Sequence, residues 1–194
     1  MDWKLHFILS VTLPVAARHD DGFSLLETLV AIALLTVGVG ALAQLVVIAT
    51  QANRRATSIT TASILAQEKA EQLRALAWGF DRFGLPVSDT TSDTRVEPES
   101  STGGTGLSAS PPDALGRNVP GYCDFVDATG RRLGDPASGA RVPDRAMYVR
   151  RWSIDPLPAN PDNTIVIQVL VTLAAAQRPE ESARLVSVRT RRAL

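Results

Sequence analysis

Histidine is nearly missing from this chain. Of 194 residues two are histidine, His6 and His19, and both precede Gly22. A chain cut after Gly22 has none, which excludes His-based acid–base catalysis, His-dependent triads and most zinc sites. Cysteine is reduced to Cys123, so no intramolecular disulfide forms and the fold is not a disulfide scaffold. A lone cysteine reads as a small buried hydrophobe, with pairing to another chain as the alternative. Lysine occurs only at Lys4 and Lys69, and the remaining basic charge is arginine. Lys plus Arg and Asp plus Glu each total 20, so the chain lacks the basic excess of a nucleic-acid binder. Neither Gly-x-Ser-x-Gly nor Ser-x-x-Lys occurs, and no cofactor is expected.

What is present is one uncharged run. From Leu29 to Ala49 there is no charge and one amide, Gln44. About 20 apolar residues span a bilayer core as a helix. Residues 23–50 number 28, about 42 Å at the helical rise. Gly38 and Gly40 lie mid-run. Each weakens a helix by about 1 kcal/mol relative to Ala, although glycine is ordinary in membrane helices.

Glu27 stands at the head of this run, where a mid-bilayer charge would cost roughly 2.5–3.5 kcal/mol and an acidic residue is a candidate site. Two compatible readings stay open. Ser24-x-x-Glu27 has the pattern of a capping box, and a first-turn carboxylate suits the helix dipole. Alternatively, if Phe23 is a free N-terminus, its ammonium in one subunit pairs with Glu27 of the next and fixes their axial register.

Residues 1–22 also allow more than one reading. Lys4, the apolar stretch Leu5 to Ala17 and the small residues Val15-Ala16-Ala17 have the layout of a secretory signal. The second apolar run beginning a few residues later favours a leader ending at Gly22 instead. A true start downstream of Met1 is a third arrangement.

The stretch Gly22-Phe23-Ser24-Leu25-Leu26-Glu27-Thr28-Leu29-Val30-Ala31 resembles the class III signal of type IV pilins and type II secretion pseudopilins. The similarity runs from Gly22 to about Leu76. It implies cleavage between Gly22 and Phe23 by the prepilin peptidase, N-methylation of Phe23, and a role for Glu27 in aligning subunits. It also implies a single-pass protein of the bacterial inner membrane, with a periplasmic C-terminal domain and other pilin or pseudopilin subunits as partners. Asp20 and Asp21 stand where such leaders are usually basic. Arg54, Arg55, Lys69 and Arg74 beyond the run oppose the positive-inside orientation, a bias that the specific motif outweighs.

Beyond Thr50 the helix is expected to continue to Trp78, because no Gly or Pro appears before Gly79. Ile59, Ala62, Ala66, Leu73 and Ala77, with Leu65, Ala70 and Leu76, form one apolar stripe. Glu68, Lys69, Glu71, Gln72 and Arg74 are assigned mostly to the opposite, solvated face. The segment Leu65 to Arg74 is similar to PilV-type minor pilins and to I-type minor pseudopilins. Residues 79–145, rich in Gly, Pro, Ser, Thr and Asp, read as a variable loop region with at most a short strand at Tyr122 to Val126. Asp89, Asp93, Glu97 and Glu99 fit a solvated loop better than a calcium site. Residues 146–194 hold three strand-like runs, Met147 to Ile154, Thr164 to Leu173 and Arg184 to Thr190, joined by turn-forming linkers. Asp155, Asn160, Asp162 and Asn163 read as such a turn rather than as calcium ligands.

The expected fold class is therefore α+β, pilin-like: a long N-terminal helix, its first half transmembrane (23–50) and its second amphipathic (51–78), on a small antiparallel sheet. Three function classes were weighed. A structural filament subunit, a PilV-type minor pilin or a minor pseudopilin, fits the run, the stripe and the missing histidines. A membrane-anchored enzyme finds no catalytic motif. A binding module would rest on Arg131, Arg132, Arg141, Arg145, Arg150 and Arg151 as a basic patch, which reads instead as a solvated face.

Overall fold

Leu25–Ala75 form a single helix, α1. The computed structural model describes residues 22–133, 142–175 and 182–193, and the chain divides into two units, one ending at Ile48 and one beginning at Ala49. In the first unit every described residue is exposed. Its hydroxyls are satisfied within the helix: Thr28 Oγ1 donates to Leu25 O at 2.9 Å and Thr36 Oγ1 to Ile32 O at 2.7 Å. Such back-bonding lets threonine sit in an apolar stretch without an unpaired polar group.

The second unit is built on the later part of α1. Ala62, Leu65, Ala66, Ala70 and Leu73 are buried and form one core with the sheet. The helix ends at Ala75, three residues before the expected Trp78. Trp78 instead opens a short strand, β1 (Trp78–Phe80), followed by β2 (Pro86–Ser88). The Arg191 guanidinium covers its indole at 3.6 Å from the ring centroid, and this partner, distant in sequence, draws Trp78 out of the helical pattern.

Four strands form an antiparallel meander: β3 (Cys123–Val126), β4 (Tyr148–Pro156), β5 (Thr164–Leu173) and β6 (Ser182–Thr190), in that spatial order. The sequence pattern marks three strand-like runs and allows a short strand at Tyr122 to Val126, which forms as β3. It is buried on both faces, so it shows no alternation. The register pairs Asp124 with Arg150, Trp152 with Val169 and Val169 with Leu185. One sheet face places Arg150, Trp152, Ile154, Ile165, Ile167, Val169 and Val171 inward, all at most 2% exposed. On the other face Cys123, Phe125 and Val149 are also buried. The long connection before β3 binds to that side of β4, with Ser110 N–H donating to Ile154 O at 2.9 Å and Arg151 Nε to Asn118 Oδ1 at 2.8 Å.

A smaller sheet has the order β2-β1-β7, where β7 is Arg192–Ala193 and runs parallel to β1. The stretch 79–145, expected as loop with at most a short strand at Tyr122 to Val126, forms that strand as β3, adds β2 and most of β1, and buries Leu107, Ala114 and Tyr122 in the main core.

Candidate processing and assembly site

The residues singled out by the sequence lie at the start of α1. Gly22, Phe23 and Ser24 precede the helix, and Phe23 is 80% exposed. Ser24 caps it: its Oγ accepts from Glu27 N–H at 3.2 Å, and its carbonyl accepts from Thr28 N–H at 3.2 Å. This is the serine half of a capping box, and a cap of this kind stabilises a helix start by about 1 kcal/mol. Glu27 stands in the first turn, exposed, where its charge complements the helix N-terminus. The Gly22–Phe23 bond is thus non-helical and exposed, immediately before a capped helix. Behind it, Leu25, Leu26, Leu29, Val30, Ile32, Leu34 and Leu35 are each at least half exposed, and α1 is long and apolar enough to cross a membrane. Residues 1–21 of the expected leader lie outside the described residues.

The second unit contains a charged constellation that the sequence did not reveal. Lys69, assigned to the solvated face, is fully buried. Its ammonium donates to Thr94 O at 2.7 Å, Thr94 Oγ1 at 2.9 Å and Asp124 Oδ2 at 3.1 Å. It also sits 3.8 Å from the Trp152 ring centroid. All three donors of the ammonium are used and its remaining side meets a π face. Arg150, placed among the solvated arginines, is likewise fully buried and binds Asp124 bidentately, with both contacts at 2.8 Å. Glu68, partly exposed, lies 3.5 Å from Arg150 and 3.3 Å from Arg132, and Glu99 lies 3.7 Å from Arg132.

Burial pushes the Lys69 ammonium down to about 8; Asp124 opposes this and Arg150 adds to it. Burial acts to raise the Asp124 carboxyl, but the charges of Lys69 and Arg150 outweigh it and hold the group below its ordinary range. Arg150 is raised, because Asp124 more than offsets the loss of solvent. Two buried cations thus share one buried carboxylate.

Of the other arginines of the supposed patch, Arg131 and Arg145 are exposed and Arg132 and Arg151 half-buried, and Arg141 lies outside the described residues. The acids weighed as calcium ligands are engaged locally. Asp89 accepts from Thr91 N–H, Ser92 N–H and Ser92 Oγ, and Asp93 binds the Arg95 guanidinium at 2.8 and 2.9 Å. Asp155 accepts from Ser153 Oγ at 2.8 Å, and Asn160 Nδ2 lies 3.4 Å from Thr164 Oγ1.

Residues 17–43 match the family model described as the prokaryotic N-terminal methylation motif. With the long apolar helix packed on antiparallel sheets, this match supports a type IV pilin-like protein, a structural and membrane-anchored class processed by prepilin peptidase and assembled with other pilins. No curated protein and no solved structure gives a significant match.

Proposed function

We propose that this chain is a minor pilin of PilV type, cut by prepilin peptidase between Gly22 and Phe23, N-methylated on Phe23, and incorporated into or priming a type IV pilus. The methylation-motif match, which spans that bond and the apolar helix behind it, carries the reading. In it, residues 1–22 are the leader, 23–50 the membrane and assembly half of α1, 51–78 the amphipathic half and its exit, 79–145 the subunit-specific region and 146–194 most of the sheet. The chain sits once across the inner membrane with the second unit in the periplasm, until it enters the filament.

Glu27 acts in assembly. Among packed apolar helices a lone carboxylate is costly, and the Phe23 ammonium of a neighbouring subunit offsets it. Intact-mass analysis of membrane-extracted protein is expected to show a chain starting at methylated Phe23. A chain retaining Met1, or starting near Arg18, would refute the processing claim. Glu27→Ala is expected to leave cleavage largely intact and to lower filament incorporation at least several-fold; normal incorporation would remove the pairing role. The alternative is an I-type minor pseudopilin of type II secretion. Deletion of the gene separates them: loss of surface pili and twitching supports the pilus, and loss of exoprotein secretion with normal twitching supports the pseudopilin.

A further inference from the structure

The buried stripe of α1 is close to self-similar along its own axis. Ala62, Ala66 and Ala70 recur every four residues, and all are at most 1% exposed. Leu65, Lys69 and Leu73 form a second row at the same spacing, also buried. Sliding the helix by four residues moves it about 6 Å and lays alanine over alanine at two of the three places. In one neighbouring register Leu73 enters the place of Lys69, but Arg74 then enters that of buried Ala70, which disfavours that register by itself. In the other Leu65 enters the place of Lys69, against Trp152, and the small residues Ser58 and Thr61 enter at Ala62 and Leu65. Apolar burial is non-directional and scales with area, so against that second register these rows by themselves distinguish poorly.

Lys69 breaks the repeat. Its cage is assembled from three places in the sequence: Thr94 before β3, Asp124 on β3, and Trp152 on β4. In either slipped register the ammonium would leave all of these for the position of a leucine, buried and unpaired, which is far more costly than any packing difference between Leu and Ala. Asp124 would keep Arg150 alone. Glu68, on the same turn and partly exposed, can exchange its ion pairs for water.

We infer that Lys69 is a register pin, a single buried charge that selects the axial position of α1 against β3 and β4 over the neighbouring one in which Leu65 would take its place. A buried polar residue that fixes register in an otherwise repetitive apolar seam is the best-attested use of such groups. Lysine suits the place because its compact ammonium directs three donors from one point, and the carbonyl, the hydroxyl and the carboxylate take one each.

The test is a distance distribution, measured by pulsed electron paramagnetic resonance on the full chain in detergent. Spin labels are placed at two exposed positions, Gln67 on α1 and Val186 on β6; a control without these sites accounts for Cys123. The parent is expected to give one distance. Lys69→Leu is expected to remain folded and to add a second population, displaced by up to about 6 Å. Moving the charge one turn, as Lys69→Leu with Leu65→Lys, is expected to shift the main distance, whereas Lys69→Leu with Leu73→Lys is expected to keep the parental distance, because the slide it needs would bury Arg74. A single parental distance in Lys69→Leu overturns the inference. So does loss of cooperative unfolding in that variant, because the cage would then hold the fold together rather than choose among registers. A folded Lys69→Leu with Leu65→Lys variant that keeps the parental distance also overturns it.

Discussion

Two stretches of the same helix handle charge in opposite ways. Between Leu25 and Ile48 the one charge is Glu27, placed in the exposed first turn, while the apolar residues around it are exposed as well. Between Ala62 and Leu73 the apolar residues are covered by the sheet, and a charge, Lys69, stands in the middle of the covered stripe with every donor satisfied. Apolar character alone does not say where cover comes from. The first stretch has none among the described residues, and an apolar helix surface of that size suits lipid or other helices. The second finds it in its own sheet, and can therefore bury a charge whose partners are also its own.

Asp124→Asn should break this contrast most severely. It leaves Lys69 and Arg150 buried without their shared carboxylate, and a loss of about 3–5 kcal/mol is expected in urea unfolding of the full chain in detergent. Lys69→Met keeps the bidentate Asp124–Arg150 pair and is expected to cost under about 1.5 kcal/mol. Equal losses in the two variants would show that the carboxylate is not the hub.

A second, smaller effect is read in pH. Asp124 is held below its ordinary range when folded, so its stabilisation is complete above the unfolded carboxylate value. It is lost as pH falls through the lower folded one. Lys69 is also depressed, to about 8 from 10.5. Between those values the unfolded chain binds the proton more tightly, so stability rises as pH increases across that interval. Unfolding midpoints from acid to alkaline pH are expected to show both limbs, and Lys69→Met should flatten the alkaline one. An alkaline limb that falls in the parent would contradict the depressed lysine.

The mildest prediction concerns the uncovered stretch. Ser24→Ala removes a cap contributing about 1 kcal/mol. That end of α1 shares no core with the second unit, so hydrogen exchange at the Glu27 amide is expected to speed up while the global unfolding midpoint stays put. A matching shift of the midpoint would mean that the two stretches unfold as one.

The fold class was legible from two periodicities. The uncharged run and the stripe at threes and fours gave α1, and the alternation of Arg184 to Thr190 gave β6. What escaped was everything that depends on partners far away in sequence. Lys69 carries the polar signature of a surface residue, and only Thr94, Asp124 and Trp152 together make it a core residue. Arg150 and Asp124 were hidden for the same reason, since a charge is read locally as solvated unless its counter-charge is visible. Trp78 left the helix for Arg191, more than a hundred residues on. At Gly22 to Glu27 the reverse holds: the pattern is local, so the cap at Ser24 follows from a few consecutive residues.

One pair of contacts has an optical consequence. Beyond residue 22 the chain has two tryptophans, Trp78 and Trp152, and each lies under a cation, Arg191 at 3.6 Å and Lys69 at 3.8 Å. A charge that close to an indole shifts its emission. The second unit therefore carries two intrinsic fluorophores, one beside Arg191 near the C-terminal strand and one where the helix meets the sheet. Replacing either with phenylalanine leaves the other as a single-site dye for its own contact.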